Sequence, residues 1–165
     1  MSSKNTQFES LYKDYYPMVE QIGLGFMKGD LDLAKDLAQE VFINTWNSLS
    51  KFKGGSSHKT WIYRVTVNTC LKYIRDKKIT NQISINQFHE QLPISENLSN
   101  QTANQHQFLY KAIGQLAEVD RLIIMMVLDE LEYEEISKVI GISSGNLRVK
   151  IHRIKKNLKT IMKNG

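Results

Sequence analysis

The chain has 165 residues, of which 41% are hydrophobic, and its 22 Lys and Arg exceed its 17 Asp and Glu to give a net charge of +5. This composition is typical of a globular protein with one domain or two small ones, and the positive charge favours an anionic partner, nucleic acid before membrane. The single cysteine argues against a disulfide framework, and the four histidines lack the spacing of metal ligands, which argues against a metal or cofactor site. No signal peptide is recognisable, and the longest apolar run of seven residues is too short to span a membrane. We therefore expect a soluble cytoplasmic protein.

The first strong helical pattern is "DLDLAKDLAQEVFINTWNSLSKF", residues 30–52. Asp30 or Asp32 can cap the helix start, and the apolar side chains recur on one side at helical spacing. The opposite side carries Asp36, Gln39, Glu40, Ile43 and Asn47. This side is either ordinary solvated surface or, because an aliphatic side chain lies at its centre, a protein-docking face.

The next pattern is "FKGGSSHKTWIYRVTVNTCLKYIRDKK", residues 52–78, in which a glycine-containing loop precedes a helix over residues 59–76. Ser56 or Ser57 can cap this helix, and its apolar side chains run along two adjacent rows, which predicts a largely buried helix. One polar row remains: Thr60, Arg64, Asn68, Lys72 and Arg75. Such a row can follow a phosphate backbone while the loop admits an unstacked base. Alternatively, Asn68 forms hydrogen bonds inside a helical bundle.

Residues 79–107 differ in composition from both of their flanks. They contain eleven Gln and Asn and no Lys or Arg, which predicts a flexible linker. The linker divides the chain into two blocks, residues 8–78 and 108–163. Because helical spacing recurs in both blocks and the two-residue alternation of strands is absent, we expect an all-α protein of two small helical domains.

The second block ends with "YEEISKVIGISSGNLRVKIHRIKKNLK", residues 133–159. Its spacing predicts a short helix that ends at Gly141, a turn, and a longer helix capped by Ser143. The longer helix has an apolar stripe that starts at Leu147 and seven cations around it, whereas residues 118–135 contain seven acids. A helix-turn-helix that binds the DNA major groove fits this segregated charge. Two ordinary bundle helices joined by a glycine turn are the alternative.

These motifs together resemble the extracytoplasmic-function (ECF) group of bacterial RNA polymerase sigma factors, the compact kind with domains two and four. "DLAQEVF" and the loop and helix of residues 52–75 resemble the part of domain two that binds polymerase and melts the promoter. Residues 131–159 resemble the helix-turn-helix of domain four. The resemblance implies domain two at 8–78, a linker at 79–107 and domain four at 108–163.

The resemblance also implies three sets of site residues. For core-polymerase binding they are Asp36, Gln39, Glu40, Val41, Phe42 and Ile43. For recognition and melting of the minus-ten element they are Phe52, Lys53, Gly54, Ser56, Lys59, Arg64, Asn68 and Lys72. For recognition of the minus-thirty-five element they are Ser144, Gly145, Arg148, Val149, His152, Arg153 and Lys156.

Three positions depart from the family's usual pattern. Ala117 stands where a proline is common and Glu130 where a glycine is common, and we expect both to affect local capping only. Val149 stands where a small polar residue is common. An aliphatic side chain favours a thymine methyl group and cannot donate a hydrogen bond to a base, so the preferred promoter sequence is open.

The resulting interpretation is a promoter-specificity subunit without catalytic residues or a cofactor, with core RNA polymerase, promoter DNA and an anti-sigma factor as partners. A helix-turn-helix regulator that acts without polymerase is one alternative, but it leaves the Asp36, Glu40 and Ile43 face without a task. A nuclease is a second alternative, and it lacks a convergent set of carboxylates or histidines.

Overall fold

The computed structural model describes residues 3–83 and 101–164, and this part of the chain is helical without any strand. The α-helices in chain order are α1 (Ser3–Phe26), α2 (Leu31–Ser48), α3 (His58–Ile83), α4 (Gln101–Gly114), α5 (Glu118–Leu128), α6 (Tyr133–Ile140) and α7 (Ser144–Asn164). A 3-10 turn, Leu49–Lys51, follows α2. The predicted all-α class is confirmed.

Side-chain caps fix the starts of α2 and α3. Asp30, rather than Asp32, caps α2 by accepting a hydrogen bond from the backbone N–H three residues later at 3.1 Å. Ser57, rather than Ser56, caps α3 in the same way, also at 3.1 Å. Each cap satisfies a backbone donor that would otherwise lack a partner at the helix start. The loop before α3 is therefore held at a defined point.

A small core joins α1, α2 and α3 in the first half of the molecule, residues 3–83. Its buried members are Val19, Ala38, Val41, Phe42 and Ile62. Aromatic rings surround these aliphatic side chains, and both tryptophans, Trp46 and Trp61, belong to this half. This core sets the angle at which α2 and α3 present their polar sides.

A larger core, here called the shared core, extends from the first half into the second half, residues 101–164. The first half contributes side chains from α1, α2 and α3, and the second half contributes side chains from α4 to α7. Its members include Phe26, Tyr63, Val67, Cys70, Ile113, Ile123, Met125, Ile136, Leu147 and Ile154. The two small helical domains predicted from the sequence correspond to these two halves, and both halves pack around one apolar cluster. The spacing of an amphipathic helix predicts that its apolar stripe is buried, but it does not predict which part of the chain packs against that stripe.

Helices occupy both ends of the segment predicted as a linker. Helix α3 continues to Ile83, seven residues beyond the predicted helix end, and α4 begins at Gln101. The predicted linker residues 84–100 lie outside the described residues. Among those that are described, no helix is long and apolar enough to cross a membrane.

Candidate nucleic-acid and protein interfaces

The outer face of α2 consists of Asp36, Gln39, Glu40 and Ile43, all of which are exposed. Ile43 is 54% exposed, which is a large fraction for an aliphatic side chain. The core of the first half covers the opposite side of α2. This helix therefore presents a short face that combines two carboxylates, one amide and one aliphatic side chain.

Two of the residues predicted for polymerase contact do not lie on this face. Val41 is fully buried and Phe42 is 3% exposed, because both belong to the core stripe of α2. We therefore correct their assignment from direct contact to packing. They hold the outer face of α2 in position from beneath.

Aromatic side chains of α1 extend the outer face of α2, and the sequence analysis missed them. Phe8 and Tyr12 line a shallow groove with Phe42, Trp46 and the α2 face. The ring centroids of Tyr12 and Phe42 are 4.9 Å apart, and Tyr12 remains 43% exposed. The four-residue spacing of the α1 aromatics was the sequence signal that could have identified this groove.

The loop between the 3-10 turn and α3 is anchored by Phe52. The ring of Phe52 packs on Trp61 with the centroids 4.9 Å apart and on His58 at 5.1 Å. Gly54 has a φ of 76°, a conformation that favours glycine. Lys53 and Gly54 are exposed, so an anchored loop presents backbone and a cation to its surroundings.

The polar row of α3 changes from buried to exposed along the helix. Thr60 is 5% exposed and Arg64 is half-buried, whereas Asn68, Lys72 and Arg75 are exposed. Exposure of Asn68 favours contact with an outside partner over a role inside the bundle. Lys59 and Lys72 supply positive charge along the same helix, and Ser56 is half-buried in the preceding loop.

The second half covers the start of this row. The Oγ1 of Thr60 donates a hydrogen bond of 3.0 Å to Oε2 of Glu135 on α6. Burial raises the pKa of Asp129, which lies at the end of α5. The positive charge of nearby Lys59 opposes this rise. One end of the predicted minus-ten surface is therefore in contact with acids from the other half.

The turn between α6 and α7 has the geometry of a helix-turn-helix. Gly141 ends α6 with a φ of 85°, and the Ser137 hydroxyl donates a hydrogen bond to the Ile142 carbonyl. Ser143 accepts the backbone N–H of Asn146 at 3.3 Å and so caps α7. The Gly141 and Ser143 roles predicted from the sequence are confirmed.

The backbone conformation of Glu130 explains why a glycine is common at this position. Its φ is 63°, which lies in the left-handed region that costs a side-chain-bearing residue about 1 kcal/mol or more. The departure from the family pattern thus causes backbone strain in the turn before α6, and not the change in capping predicted from the sequence.

Helix α7 buries its apolar stripe and exposes the residues predicted to read DNA. Leu147, Ile151, Ile154 and Leu158 are buried. The predicted minus-thirty-five residues are all exposed: Ser144, Gly145, Arg148, Val149, His152, Arg153 and Lys156. We call Arg148, Val149, His152 and Arg153 the reading face. Val149 is 52% exposed at its centre.

Other cations and polar groups of the second half serve its internal packing. Lys150 forms a 3.1 Å ion pair with Asp120 and thereby joins α7 to α5. Arg121 donates hydrogen bonds to the carbonyls of Gly114 and Leu116 at 3.3 and 3.1 Å, and burial lowers its pKa. The ion pair holds α7 against α5, and the hydrogen bonds hold α5 against the end of α4 and the residues after it. No group of three potential metal ligands occurs in the described residues.

Comparison with known families agrees with this geometry. Residues 11–79 match Sigma-70 region 2, and residues 107–158 match Sigma-70, region 4. The chain is 31% identical over 159 residues to the RNA polymerase sigma factor YlaC of Bacillus subtilis, covering 93% of this chain and 91% of that protein. It is 30% identical over 136 residues to the ECF RNA polymerase sigma-E factor of Escherichia coli K12, covering 72% of this chain and 68% of that protein.

Two solved structures share the fold. One is the sigma factor RpoE in complex with the anti-sigma factor NepR from Bartonella quintana, with a TM-score of 0.78 and 21% identity over 95% of this chain and 97% of that one. The other is CnrH in complex with the cytosolic domain of CnrY, with a TM-score of 0.68 and 18% identity over 97% of this chain and 90% of that one.

The matches to both sigma-70 regions, together with the helix-turn-helix and the second helical module, place this chain in the sigma class of transcription initiation factors. More specifically, this chain belongs to the ECF group of the sigma-70 family. It is an RNA polymerase sigma factor that directs promoter-specific transcription initiation, and it is not an enzyme.

Proposed function

We propose that this sigma factor uses three separate surfaces: the outer face of α2 for core polymerase, the loop and α3 for the minus-ten element, and the reading face of α7 for the minus-thirty-five element. The observation that carries this proposal is the orientation of α7. Its apolar stripe is buried, and every residue predicted to read DNA is exposed. A helix held in this way can enter a major groove without rearranging its own packing.

The outer face of α2 is suited to a protein partner because it mixes charge with exposed apolar area. Asp36 and Glu40 supply charge, while Ile43 and the adjacent groove with Tyr12 supply apolar contact. Interfaces of specific complexes commonly combine an apolar centre with a polar rim. Docking of core polymerase on this face leaves both DNA-binding surfaces free.

The loop and α3 are suited to single-stranded DNA. Lys53, Lys59 and Lys72 provide charge for the backbone, and exposed Asn68 can form hydrogen bonds to a base edge. Melting costs about 1 to 2 kcal/mol for each base-pair step. Capture of unpaired bases beside Gly54 and Asn68 offsets part of that cost.

The reading face of α7 is suited to duplex DNA. Arg153 and His152 can form hydrogen bonds to base edges or phosphates, and Arg148 lies beside them. Val149 projects between these polar side chains, so we assign it to a thymine methyl group. One preferred position of the minus-thirty-five element is then a thymine.

An anti-sigma protein is the third proposed partner, after polymerase and DNA, and the proposed location is the cytoplasm, where both of those partners are present. One of the two similar solved structures supports this partner, since it is a sigma factor in complex with an anti-sigma factor. Affinity purification from the native cell should recover a protein that inhibits transcription. Recovery of polymerase alone would contradict this part of the proposal.

Run-off transcription with core polymerase from a related bacterium tests the three-surface assignment. Wild-type protein should produce defined start sites, and Glu40→Arg should abolish them by weakening polymerase binding while duplex binding is retained. Asp14→Arg is the matched control, because it makes the same charge change at an exposed α1 position outside the three surfaces. Equal loss of transcription in both variants would contradict the assignment of the α2 face. Duplex binding without any polymerase binding would instead support a stand-alone regulator.

A further inference from the structure

A hydrogen bond joins α2 to α3 between the two proposed surfaces of the first half. Nδ2 of Asn44 on α2 donates to Oγ1 of Thr69 on α3 at 3.0 Å. Thr69 is buried, with 6% of its surface exposed, and Asn44 is half-buried. Such a bond can fix the position of α3 relative to α2, because a hydrogen bond is directional and apolar attraction is not.

The two ends of this bond lie next to residues that we assign to partners. Ile43, the exposed aliphatic residue of the α2 face, directly precedes Asn44, and Asn68 directly precedes Thr69. Successive residues of a helix are about 1.5 Å apart along its axis. Each end of the bond is therefore one residue away from a proposed contact with polymerase or with DNA, and the relative position of Ile43 and Asn68 depends on this bond.

The Thr69 hydroxyl determines which kind of side chain can bind it. Its Oγ1 donates its single hydrogen to the carbonyl of Val65 at 2.7 Å. The hydroxyl can then only accept a further bond, so the side chain that meets it must supply a donor. The amide nitrogen of Asn44 is that donor, whereas a carboxylate or an aliphatic side chain at position 44 would have none. Asn44 is thus chemically matched to Thr69.

The contact between α2 and α3 around this bond is apolar. Val41 of α2 and Ile62 of α3 are fully buried in the core of the first half, and Val65 packs against them. Two further buried threonines, Thr45 and Thr66, donate their hydroxyl hydrogens to carbonyls of their own helices. Among these three threonines, Thr69 is therefore the one whose hydroxyl adds a directional link to the partner helix.

Recognition of a base by Asn68 requires an accurately placed α3. Good hydrogen bonds between heavy atoms span a range of roughly 0.5 Å. A shift of α3 by a single residue along its axis is about 1.5 Å, which exceeds that range. A link that prevents such a shift therefore affects the base contact of Asn68 even though the link itself lies outside that contact.

We propose that Asn44 is a positioning residue for minus-ten recognition, which acts through Thr69 to hold Asn68 at a fixed place relative to the α2 face that docks on core polymerase. The inference rests on the proposed function, since it uses the polymerase and minus-ten assignments. It extends that function by two residues that act through their neighbours. Docking of polymerase on α2 thereby sets the place of Asn68 at the unpaired strand.

Threonine-to-valine changes at two positions of α3 test this proposal in the holoenzyme with core polymerase. The probe is a single-stranded oligonucleotide with the non-template minus-ten sequence of a promoter that the wild-type holoenzyme transcribes. Thr69→Val removes the hydroxyl at nearly constant shape and should weaken binding of this probe about three- to tenfold. Thr66→Val is the matched control, because it removes a buried hydroxyl whose bond lies within α3, and it should leave probe binding unchanged. Thr69→Ser keeps the hydroxyl and should also bind normally.

A double variant separates positioning from stability. Asn44→Leu combined with Thr69→Val replaces both partners by apolar groups, so no polar group is left unpaired. The thermal midpoint of this double variant should lie near that of the wild type, and its affinity for core polymerase should be unchanged, while weak probe binding persists. Recovery of probe binding together with the thermal midpoint would overturn the proposal, because the bond would then act on stability alone.

The substitution Asn68→Ala distinguishes failure of this inference from failure of the proposed function. It should weaken probe binding in the wild-type background and have little further effect in the Thr69→Val background, because both changes disturb the same base contact. Full additivity of the two changes would refute the positioning role and leave the minus-ten assignment standing. Unchanged probe binding by Asn68→Ala would refute the minus-ten assignment of Asn68, and the inference with it.

Discussion

Helices α3 and α7 have the same type of sequence pattern but different surroundings. Each has an apolar side and a polar row that includes cations. On α7 the entire reading face is exposed, whereas on α3 the polar row begins with Thr60 beneath Glu135 and reaches solvent only from Asn68 onward. Of the two proposed DNA-binding surfaces, the one for duplex DNA is exposed when the halves are packed together, and the one for melted DNA is partly covered.

This difference implies an order of events. A reading face that is already exposed can contact duplex DNA without separation of the halves. The start of the proposed minus-ten surface is accessible only when Glu135 no longer accepts the hydrogen bond from Thr60.

Two matched core substitutions test whether the halves are separable, and they carry the largest expected effects. Ile62 lies in the core of the first half and Ile123 in the shared core, and both are fully buried. Each Ile→Ala change should lower the free energy of unfolding by about 2 to 5 kcal/mol. In urea, Ile62→Ala should shift mainly the transition seen by the fluorescence of Trp46 and Trp61, and Ile123→Ala mainly that seen by circular dichroism. Identical shifts by both probes would mean that the halves unfold as one unit.

Arg153 tests how the reading face of α7 acts. Arg153→Ala should weaken binding to the preferred duplex by about 1 to 3 kcal/mol if its guanidinium contacts a base. Binding isotherms on preferred and unrelated duplexes measure this loss, with Lys159→Ala as a control for a cation farther along α7. A loss of equal size on unrelated duplexes would assign Arg153 to a phosphate.

Val149 gives a smaller and more specific test. Val149→Ala should reduce affinity for the preferred duplex by about 1 kcal/mol, the value of one or two buried methyl or methylene groups. Replacement of each thymine of the element by deoxyuridine removes only the methyl group. At one thymine position, the losses of affinity caused by Val149→Ala and by the deoxyuridine replacement should be non-additive. Full additivity at every thymine would show that Val149 contacts no thymine methyl.

The substitution Asp129→Asn has the smallest expected effect, and this effect depends on pH. Burial, opposed by Lys59 and supported by Glu130, raises the pKa of Asp129, so its charged form destabilises the packed state above that pKa. Asp129→Asn should therefore raise the urea midpoint at neutral pH, and the advantage over wild type should disappear as the pH falls through the raised pKa toward the ordinary carboxyl value. A difference in urea midpoint between Asp129→Asn and wild type that stays constant with pH would show that the raised pKa of Asp129 is not its cause.

The sequence predicts those features that depend on local spacing. The start of α2 near Asp30 or Asp32, the end of α6 at Gly141 and the outward orientation of Val149 follow from caps and helical periodicity, which act over a few residues. The same periodicity places Val41 and Phe42 in the stripe that packs, even though the family motif includes them. The resemblance to a family thus identifies a segment, and the helical period separates its contact residues from its core.

Features that depend on distant contacts could not be predicted. Tyr63 and Val67 are expected to be buried, but nothing in their spacing reveals that the second half covers them. Likewise, the hydrogen bond between Thr60 and Glu135 joins positions 75 residues apart. The close approach of α5 to Gly25, where an added side chain would overlap Met125, depends on the same long-range packing.

The separation of α1 from α7 in the free and promoter-bound protein tests the central claim most directly. Dyes attached to cysteines at Asp14 and Thr160, both exposed, in a Cys70→Ala chain report this separation by energy transfer. Free protein should show high transfer, and the complex with core polymerase and promoter should show low transfer, because the elements are roughly 85 Å apart. High transfer that persists in a transcribing complex would contradict the claim that the halves must separate.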